Sequence, residues 1–194
     1  MRMFWLNLEY ELTQLYHDLH NGAFIHGSYA HFMVHDTKRR DIYVASVRDR
    51  VAHQLAADYL ELKFGPTFYS HSYAAQKGKG VTAARAYAFS IMKSLARRHA
   101  GWIGKMDVKK YFAHVNHSIL LGLLARKIRD ERIFALCRRI IQSFETEGCG
   151  IPLGNLTSQW FANIYLHELD FFVTHSLRIR YYLRYNDDSI VFGN

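Results

Sequence analysis

Two adjacent aspartates stand at the tip of a predicted β-hairpin near the end of the chain. From residue 179 to residue 185, apolar and polar side chains largely alternate, which is the period of a half-buried strand, and residues 189 to 192 supply a return strand. Asn186 and Asp187 suit the tight turn between them, because short polar side chains tolerate left-handed backbone geometry. The hairpin therefore presents the carboxylates of Asp187 and Asp188, and a solvated turn is the alternative interpretation.

A third carboxylate follows another short apolar segment. Residues 102 to 106 predict a strand, and Asp107 comes directly after it. An aspartate at the end of a core strand is costly to bury unless a cation or hydrogen bonds compensate its charge. Two divalent ions roughly 3.5 to 4 Å apart would compensate it and would hold the attacking and leaving oxygens of a phosphoryl transfer. Oxygen ligands favour Mg²⁺ over zinc, so we expect two Mg²⁺ ions, with Mn²⁺ as a substitute.

These segments resemble the catalytic blocks of reverse transcriptases. Residues 185 to 188 match the Tyr-x-Asp-Asp signature, and Asp107 followed five residues later by Phe112 matches the first catalytic block. Residues 150 to 159 lie between them and resemble the block that contacts the template and the incoming nucleotide. Three blocks in the family's order are a more specific signal than any one of them.

The resemblance extends upstream and covers about residues 30 to 194. Residues 47 to 51 resemble the fingers segment of group II intron-like enzymes, and residues 72 to 80 resemble the segment that follows it. The middle block departs from most of the family, because it has Leu153-Gly154 and later Ser158-Gln159 where most members have Gln-Gly and Ser-Pro. That variant resembles the enzymes of diversity-generating retroelements, which copy a template RNA into mutagenised cDNA.

The side chain of Leu153 suggests a consequence of this variant. An aliphatic group cannot hydrogen-bond near the nucleotide, so the site would hold a correct base pair less strictly. Lowered fidelity, especially opposite template adenines, is what the resemblance to the retroelement enzymes implies. The missing side chain of Gly154 is expected to permit the close approach of a base pair.

The resemblance implies an α+β fold of the right-hand polymerase type, with an antiparallel palm sheet backed by helices. Residues 1 to 100 are expected to form the fingers and residues 101 to 194 the palm. Asn116 and Asp130 predict the starts of two helices, and a long amphipathic helix is predicted over residues 156 to 173. The family's primer grip and thumb are expected to be absent from the fragment, so we do not expect processive synthesis from the fragment alone.

The resemblance also assigns roles to individual residues. Asp107 and Asp187 are expected to bridge the two ions, assisted by Asp188 and the main-chain oxygen of Val108. Phe112 is expected to act as a steric gate against a ribose 2′-hydroxyl, and a core aromatic is the alternative. The other expected nucleotide contacts are Lys38, Arg40, Leu153, Gly154 and Gln159, and the expected primer or template contacts are Tyr185, Arg48, Lys77, Lys79 and Arg85. Solvated surface positions are the alternative for the basic residues.

The composition agrees with a nucleic-acid enzyme. Lys and Arg total 25 against 17 acidic residues, and the net charge of +8 and pI of about 9.5 favour a polyanionic partner. The resemblance implies an RNA template, a DNA or RNA primer, deoxynucleoside triphosphates and an accessory RNA-binding protein. No targeting segment and no apolar run of roughly 18 residues is present, so we expect no membrane partner and a cytoplasmic location.

The implied activity is that of an RNA-directed DNA polymerase engaged in error-prone cDNA synthesis in a diversity-generating retroelement. Group II intron, retron and phage-defence reverse transcriptases carry the same blocks and are alternatives. A non-catalytic RNA-binding module with the shape of a palm is a further alternative.

Overall fold

A computed structural model describes residues 2–35, 39–97, 101–144 and 147–193. Over these ranges helices alternate with two small antiparallel sheets, which confirms the predicted α+β class. The helices are α1 (Arg2–Leu6), α2 (Leu8–His20), α3 (Val47–Phe64), α4 (Val81–Ala96), α5 (His117–Ala125), α6 (Glu131–Gln142) and α7 (Leu156–Phe171), and the strands are β1 (Ala30–His35), β2 (Arg39–Val44), β3 (Trp102–Met106), β4 (Tyr181–Tyr185) and β5 (Asp188–Gly193). No helix in the described ranges is long and apolar enough to cross a bilayer.

The larger sheet has three strands in the order β3-β5-β4, and both pairings are antiparallel. The strands β4 and β5 form the predicted hairpin, with Tyr185 paired to Asp188 across a turn in which Asn186 has a φ of +52°. On the other side of β5, Met106 is paired with Ser189. This register brings the residue after β3, Asp107, to the level of the first residue of β5.

The strand β4 is buried on both faces, so the half-buried strand that the alternation predicts is wrong. Tyr182 and Leu183 are 0% and 4% exposed, and the charged Arg184 is only 1% exposed. Leu183 packs in a cluster with Ile91 of α4, while the charge of Arg184 is matched by Asp170 of α7. A charged residue can occupy this face because its partner is buried with it.

The helices α3, α5, α6 and α7 each contribute fully buried residues to the main hydrophobic core. Leu60 of α3, Leu120 of α5, Ile140 of α6 and Phe161 of α7 are each at most 1% exposed and belong to one cluster. The helix α7 is the predicted long helix, and a π-helical turn, Phe172–Ser176, continues it towards β4. The core therefore gives α7 a fixed position from which it reaches the sheet.

The predicted N-caps are confirmed. The side chain of Asn116 accepts a hydrogen bond from the backbone N–H of Ile119, and the side chain of Asp130 accepts from those of Arg132 and Ile133. These bonds satisfy backbone donors that a helix start otherwise leaves open.

The β1–β2 hairpin is fastened to the start of α7. The backbone N–H of Tyr43 donates to the carbonyl of Leu153 over 2.9 Å, and the side-chain amide of Asn155 donates to the carbonyl of Tyr43 over 2.8 Å. Gly154, with a φ of +105°, lies so close to β2 that a Cβ atom there would be 2.8 Å from Ile42 Cγ2. The contact with β2 is thus a structural reason for glycine at this position, and the approach of a base pair stays a prediction.

Replacing Gly154 with Ala should destabilise the protein by about 1–3 kcal/mol, because the backbone conformation disfavours a side chain and the new methyl group meets Ile42. Gly122 of α5 is the control, since it is exposed and a Cβ there would meet no atom within 4 Å. Gly122→Ala should stabilise by about 0.5–1 kcal/mol. Urea denaturation measures both changes, and an unchanged stability of Gly154→Ala would contradict the tight contact.

Candidate active site

The turn between β4 and β5 places Asp187 among other charges. Its side chain is half-buried. Partial burial raises the pKa of the Asp187 carboxyl group, and the charges of Asp107 and Asp188 raise it further. Its own backbone N–H and the guanidinium of Arg40 on β2 oppose the shift. The fold therefore brings the two other predicted acids, and one predicted basic residue of the fingers, within electrostatic reach of Asp187.

Lys105 on β3 is a site residue that the sequence interpretation missed. Its Nζ atom lies 3.0 Å from Oδ1 of Asp188, and this hydrogen bond and the charge of Asp188 raise the pKa of Lys105, with Asp107 adding to the effect. Asp188 faces it diagonally across the β3–β5 ladder, because Lys105 is paired with Ile190. Only the strand register reveals this neighbour.

The part of the chain that the structure describes has no group of three or more His, Cys, Asp or Glu side chains arranged to hold a metal ion. Asp107 is exposed at the end of β3, and Asp188 is engaged by Lys105. The donor chemistry still fits a hard divalent cation, since the partial burial and the mutual repulsion that raise the pKa of Asp187 are penalties that such a cation relieves. Asp107 and Asp187 are the residues that would most directly hold such a cation, because Asp107 is the acid with the largest effect on the pKa of Asp187.

A second unpredicted feature lies beneath the turn. Arg184 Nε and Nη2 donate to the two carboxylate oxygens of Asp170, each over 2.7 Å. Its Nη1 atom donates to Asn163 Oδ1 over 3.0 Å and to the carbonyl of Asn186 over 2.9 Å. Burial works to lower the pKa of Arg184, but the hydrogen bonds and charge of Asp170 raise it overall. The turn thus rests on a buried guanidinium group that makes four hydrogen bonds.

A signal for this arrangement was present in the sequence. Asn163 and Asp170 are seven residues apart, which places both on one face of α7. Both side chains are buried, and buried polar side chains require hydrogen-bond partners, here from another element. The alternation in β4 instead assigned Arg184 to the solvent side.

A cleft of about 410 Å³ lies beside the hairpin, between α3, the loop that precedes α4 and the start of α7. Four residues predicted to contact nucleic acid or nucleotide line it, namely Tyr185, Gln159, Lys77 and Lys79. The structure therefore brings the middle block and the second upstream segment to one surface next to the hairpin.

Intramolecular bonds engage both lysines of this cleft. Lys79 Nζ donates to the carbonyls of Ser70 over 2.9 Å and of Ser72 over 3.1 Å, and partial burial lowers its pKa. Lys77 Nζ lies 3.1 Å from Oε2 of Glu61, with most of its side chain exposed. Lys79 therefore supports the loop directly, whereas Lys77 is free to exchange its exposed ion pair for a phosphate.

The other predicted basic contacts are spread over the molecule. Arg48 pairs with Asp18 and lies 5.5 Å from the centre of the Phe24 ring, so it joins α3 to α2. Arg85 is exposed on α4. Lys38 lies outside the described residues, and the exposed Arg40 is near enough to influence Asp187.

Phe112 and Leu153 are both half-buried. Phe112 packs against the main core, and its carbonyl accepts a hydrogen bond from the backbone N–H of Ile151 over 2.8 Å. That bond ties the first catalytic block to the middle block. Val108 is 39% exposed and follows Asp107 directly. The gate role of Phe112 and the ligand role of Val108 stay predictions.

The sequence is similar to proteins encoded within introns. The group II intron-encoded protein LtrA of Lactococcus lactis is 28% identical over 147 residues, which cover 70% of this chain and 23% of LtrA. An uncharacterized 91 kDa protein in the cob intron of Schizosaccharomyces pombe is 28% identical over 142 residues, which cover 70% of this chain and 17% of that protein. The chain thus spans less than a quarter of the length of these relatives. No protein-family model matches it.

The fold is shared with telomerase. Telomerase from Candida albicans, solved in complex with a fragment of telomeric RNA, superposes with a TM-score of 0.64 at 12% identity over 87% of this chain and 38% of that one. Apo telomerase from Candida tropicalis, truncated from its C-terminal domain, superposes with a TM-score of 0.56 at 14% identity. This match covers 85% of this chain and 43% of that one. At these identities the likeness concerns the fold alone, and it confirms the predicted arrangement of helices and antiparallel sheets.

Replacing Asp187 with Asn should raise the thermal stability of the metal-free protein at neutral pH, because it removes a half-buried charge beside two others. Since the folded-state pKa of Asp187 is raised, its carboxyl group costs stability once the pH rises through that pKa. The cost is absent below the ordinary carboxyl pKa of about 4. The difference between the variant and the natural protein should therefore shrink as the pH falls from about 7 to about 4.

Thermal melts over this pH range measure the difference. Asp58→Asn, which removes an exposed carboxylate of α3, is the control and should show a smaller change. A destabilising effect of Asp187→Asn at neutral pH would contradict the electrostatic description of the turn.

Proposed function

We propose that this chain is the fingers and palm part of an RNA-directed DNA polymerase, which adds deoxynucleotides to a primer 3′-hydroxyl on an RNA template. The observation that carries the proposal is the gathering of Asp107, which follows β3, with Asp187 and Asp188 of the β4–β5 hairpin, at one end of the sheet. The similarity to group II intron-encoded proteins and the telomerase fold support it. Residues 1 to 100 would be the fingers and residues 101 to 194 the palm.

Asp107 and Asp187 are the residues proposed to hold two Mg²⁺ ions, with help from Asp188 and the main-chain oxygen of Val108. When bound, such ions lower the pKa of the primer 3′-hydroxyl and neutralise charge on the departing pyrophosphate. Lys105 would release Asp188 as the ions bind, because its present ion pair is exposed and weak. Arg40, whose charge acts on Asp187, would attract the triphosphate to the same site.

The proposed path of the nucleic acid follows from the cleft beside the hairpin. Tyr185 and Gln159 stand where that cleft meets the turn and the start of α7, and Lys77 offers an exposed positive charge at its edge. Phe112 would exclude a 2′-hydroxyl from the sugar of the incoming nucleotide. The positive net charge of the chain would add a sequence-independent attraction to the backbone phosphates.

Primer extension by the complete protein on a defined RNA template tests the proposal. The natural protein should incorporate deoxynucleotides only with Mg²⁺ or Mn²⁺ present. Asp107→Asn and Asp187→Asn should each lower the rate by about 10²-fold or more, as expected when one preorganised electrostatic group is lost. Asp130→Asn, which keeps a good N-cap residue on α6, should retain the rate.

Absence of divalent-dependent incorporation by the natural protein, together with tight, salt-sensitive RNA binding, would contradict the proposal. It would favour the non-catalytic RNA-binding module instead.

Within this class we propose the diversity-generating retroelement type, acting in the cytoplasm with a template RNA and an accessory RNA-binding protein. Its support is the Leu153-Gly154 and Ser158-Gln159 variant of the middle block. The carbonyl of Leu153 accepts a hydrogen bond from the backbone N–H of Tyr43 on β2. Leu153 therefore lies at the junction between the β1–β2 hairpin and α7. The similarity to LtrA keeps the group II intron type as the second candidate.

Replacing Leu153 with Gln should lower the error frequency opposite template adenines by roughly tenfold, because an amide can hydrogen-bond where an aliphatic group cannot. Sequencing of cDNA made on one RNA template measures the change. Leu62→Gln is the control, since Leu62 is exposed on α3. Equal error frequencies in the natural protein and Leu153→Gln would remove Leu153 as the cause, and products unrelated to the template would favour the phage-defence type.

A further inference from the structure

We infer that Arg184, Asp170 and Asn163 are positioning residues that fix the Asp187 turn relative to the nucleotide-contacting start of α7. We call these three residues the Arg184 clamp. The inference rests on the proposed polymerase function and adds a role to residues that touch no substrate. It is carried by the hydrogen bonds beneath the turn and by the path of α7.

The first step is the contact with the turn itself. Arg184 Nη1 donates to the carbonyl of Asn186, which belongs to the peptide group that joins Asn186 to Asp187. A donor on that oxygen restrains the rotation of this peptide plane, and the plane sets the direction in which the Cα–Cβ bond of Asp187 points. Asn186 adopts a positive φ, which is unfavourable for a residue other than glycine. The hydrogen bond from Arg184 helps to hold the turn in this conformation.

The second step is the anchoring of the guanidinium. Both carboxylate oxygens of Asp170 accept from Arg184 over 2.7 Å, and Asn163 Oδ1 accepts over 3.0 Å. Such a planar, two-pronged pair permits only one orientation of the guanidinium. Tyr182 strengthens the anchor, because its hydroxyl donates to Asp170 Oδ1 over 2.9 Å.

The third step is the connection through α7. Asp170 lies near the end of this helix, and Leu153 and Gly154 lie just before its start. The helix spans roughly 20 Å between these points and is held in the main core, so it acts as a rigid spacer. Asn163 also donates to the carbonyl of Ala74 over 2.9 Å, which links the loop that lines the cleft to the same helix.

Stability alone does not account for this arrangement. A buried ion pair contributes little compared with well-packed apolar side chains, since the desolvation of both charges offsets their attraction. The pair supplies geometry that apolar side chains cannot, namely a hydrogen-bond donor aimed at one carbonyl of the turn. A clamp of this kind would keep the carboxylate of Asp187 at a constant distance from the nucleotide site.

Arg184→Lys tests the inference in the complete protein. Lysine keeps the positive charge but has a single donor atom, so it cannot hold Asp170 with a planar fork and also reach Asn163 and the turn. We expect the kcat for nucleotide incorporation to fall by about 10²-fold, with little change in the KM for the nucleotide. Hydrogen exchange at the backbone amides of residues 186 to 188 should accelerate, while the amides of residues 190 to 192 keep their protection.

Leu124→Ala is the matched control, because Leu124 is fully buried in the main hydrophobic cluster, to which neither the turn residues nor the clamp residues belong. At a temperature where both variants are folded, the control should keep its kcat and the slow exchange of the turn. Equal losses of kcat in Arg184→Lys and Leu124→Ala, with no acceleration at residues 186 to 188, would overturn the positioning role.

Asn163→Ala supplies a second test, since it removes the contacts with Arg184 and with the carbonyl of Ala74 and leaves the ion pair intact. It should accelerate exchange in the turn less than Arg184→Lys does, and unchanged exchange would count against the clamp. If the natural protein incorporates no nucleotide, the proposed function fails, while the exchange measurements still decide whether the clamp holds the turn.

Discussion

The pairing of Arg184 with Asp170 inside the protein is the interaction on which the rest of the site depends. It allows β4 to be buried although the strand contains the charged Arg184. Arg184 also donates a hydrogen bond to the turn that carries Asp187. Removing one partner would leave the other charge buried and uncompensated, at a cost of about 3–5 kcal/mol. The position of the hairpin tip is thus tied to the integrity of the core. Through Arg184 and Asp170, the turn that carries Asp187 is fixed to the rigid helix α7.

Above this rigid base the acids form an electrostatically unfavourable group. Antiparallel pairing on both sides of β5 brings Asp107 to the same end of the sheet as Asp188, and the turn adds Asp187. Partial burial and the charges of Asp107 and Asp188 raise the pKa of Asp187, Arg40 opposes this shift, and Lys105 pairs with Asp188. The same charges that reduce stability make the site attractive to divalent cations and, through them, to phosphates. The acids therefore lower the stability of the metal-free fold while they favour the binding of a divalent cation.

Features set by neighbouring residues were predictable from the sequence, and features set by distant contacts were not. The Asn186 turn, the helix over residues 156 to 171 and the cap at Asn116 follow from local chemistry and periodicity. The burial of Arg184 did not, because alternation assigns a charged residue to solvent unless a buried partner is known. The contact of Lys105 with Asp188 needed the strand register, which no single segment contains. The three aspartates were recognisable because their spacing matches the blocks of a known family.

Anomalous diffraction from crystals of the complete protein grown with Mn²⁺, a primer–template and a non-reactive deoxynucleotide analogue would test most directly whether the acids share a divalent cation. The account predicts an anomalous peak bonded to carboxylate oxygens of both Asp107 and Asp187, with Lys105 turned away from Asp188. A fully occupied nucleotide site without Mn²⁺ at these carboxylates, or with Asp107 more than about 10 Å from Asp187, would contradict the two-metal account.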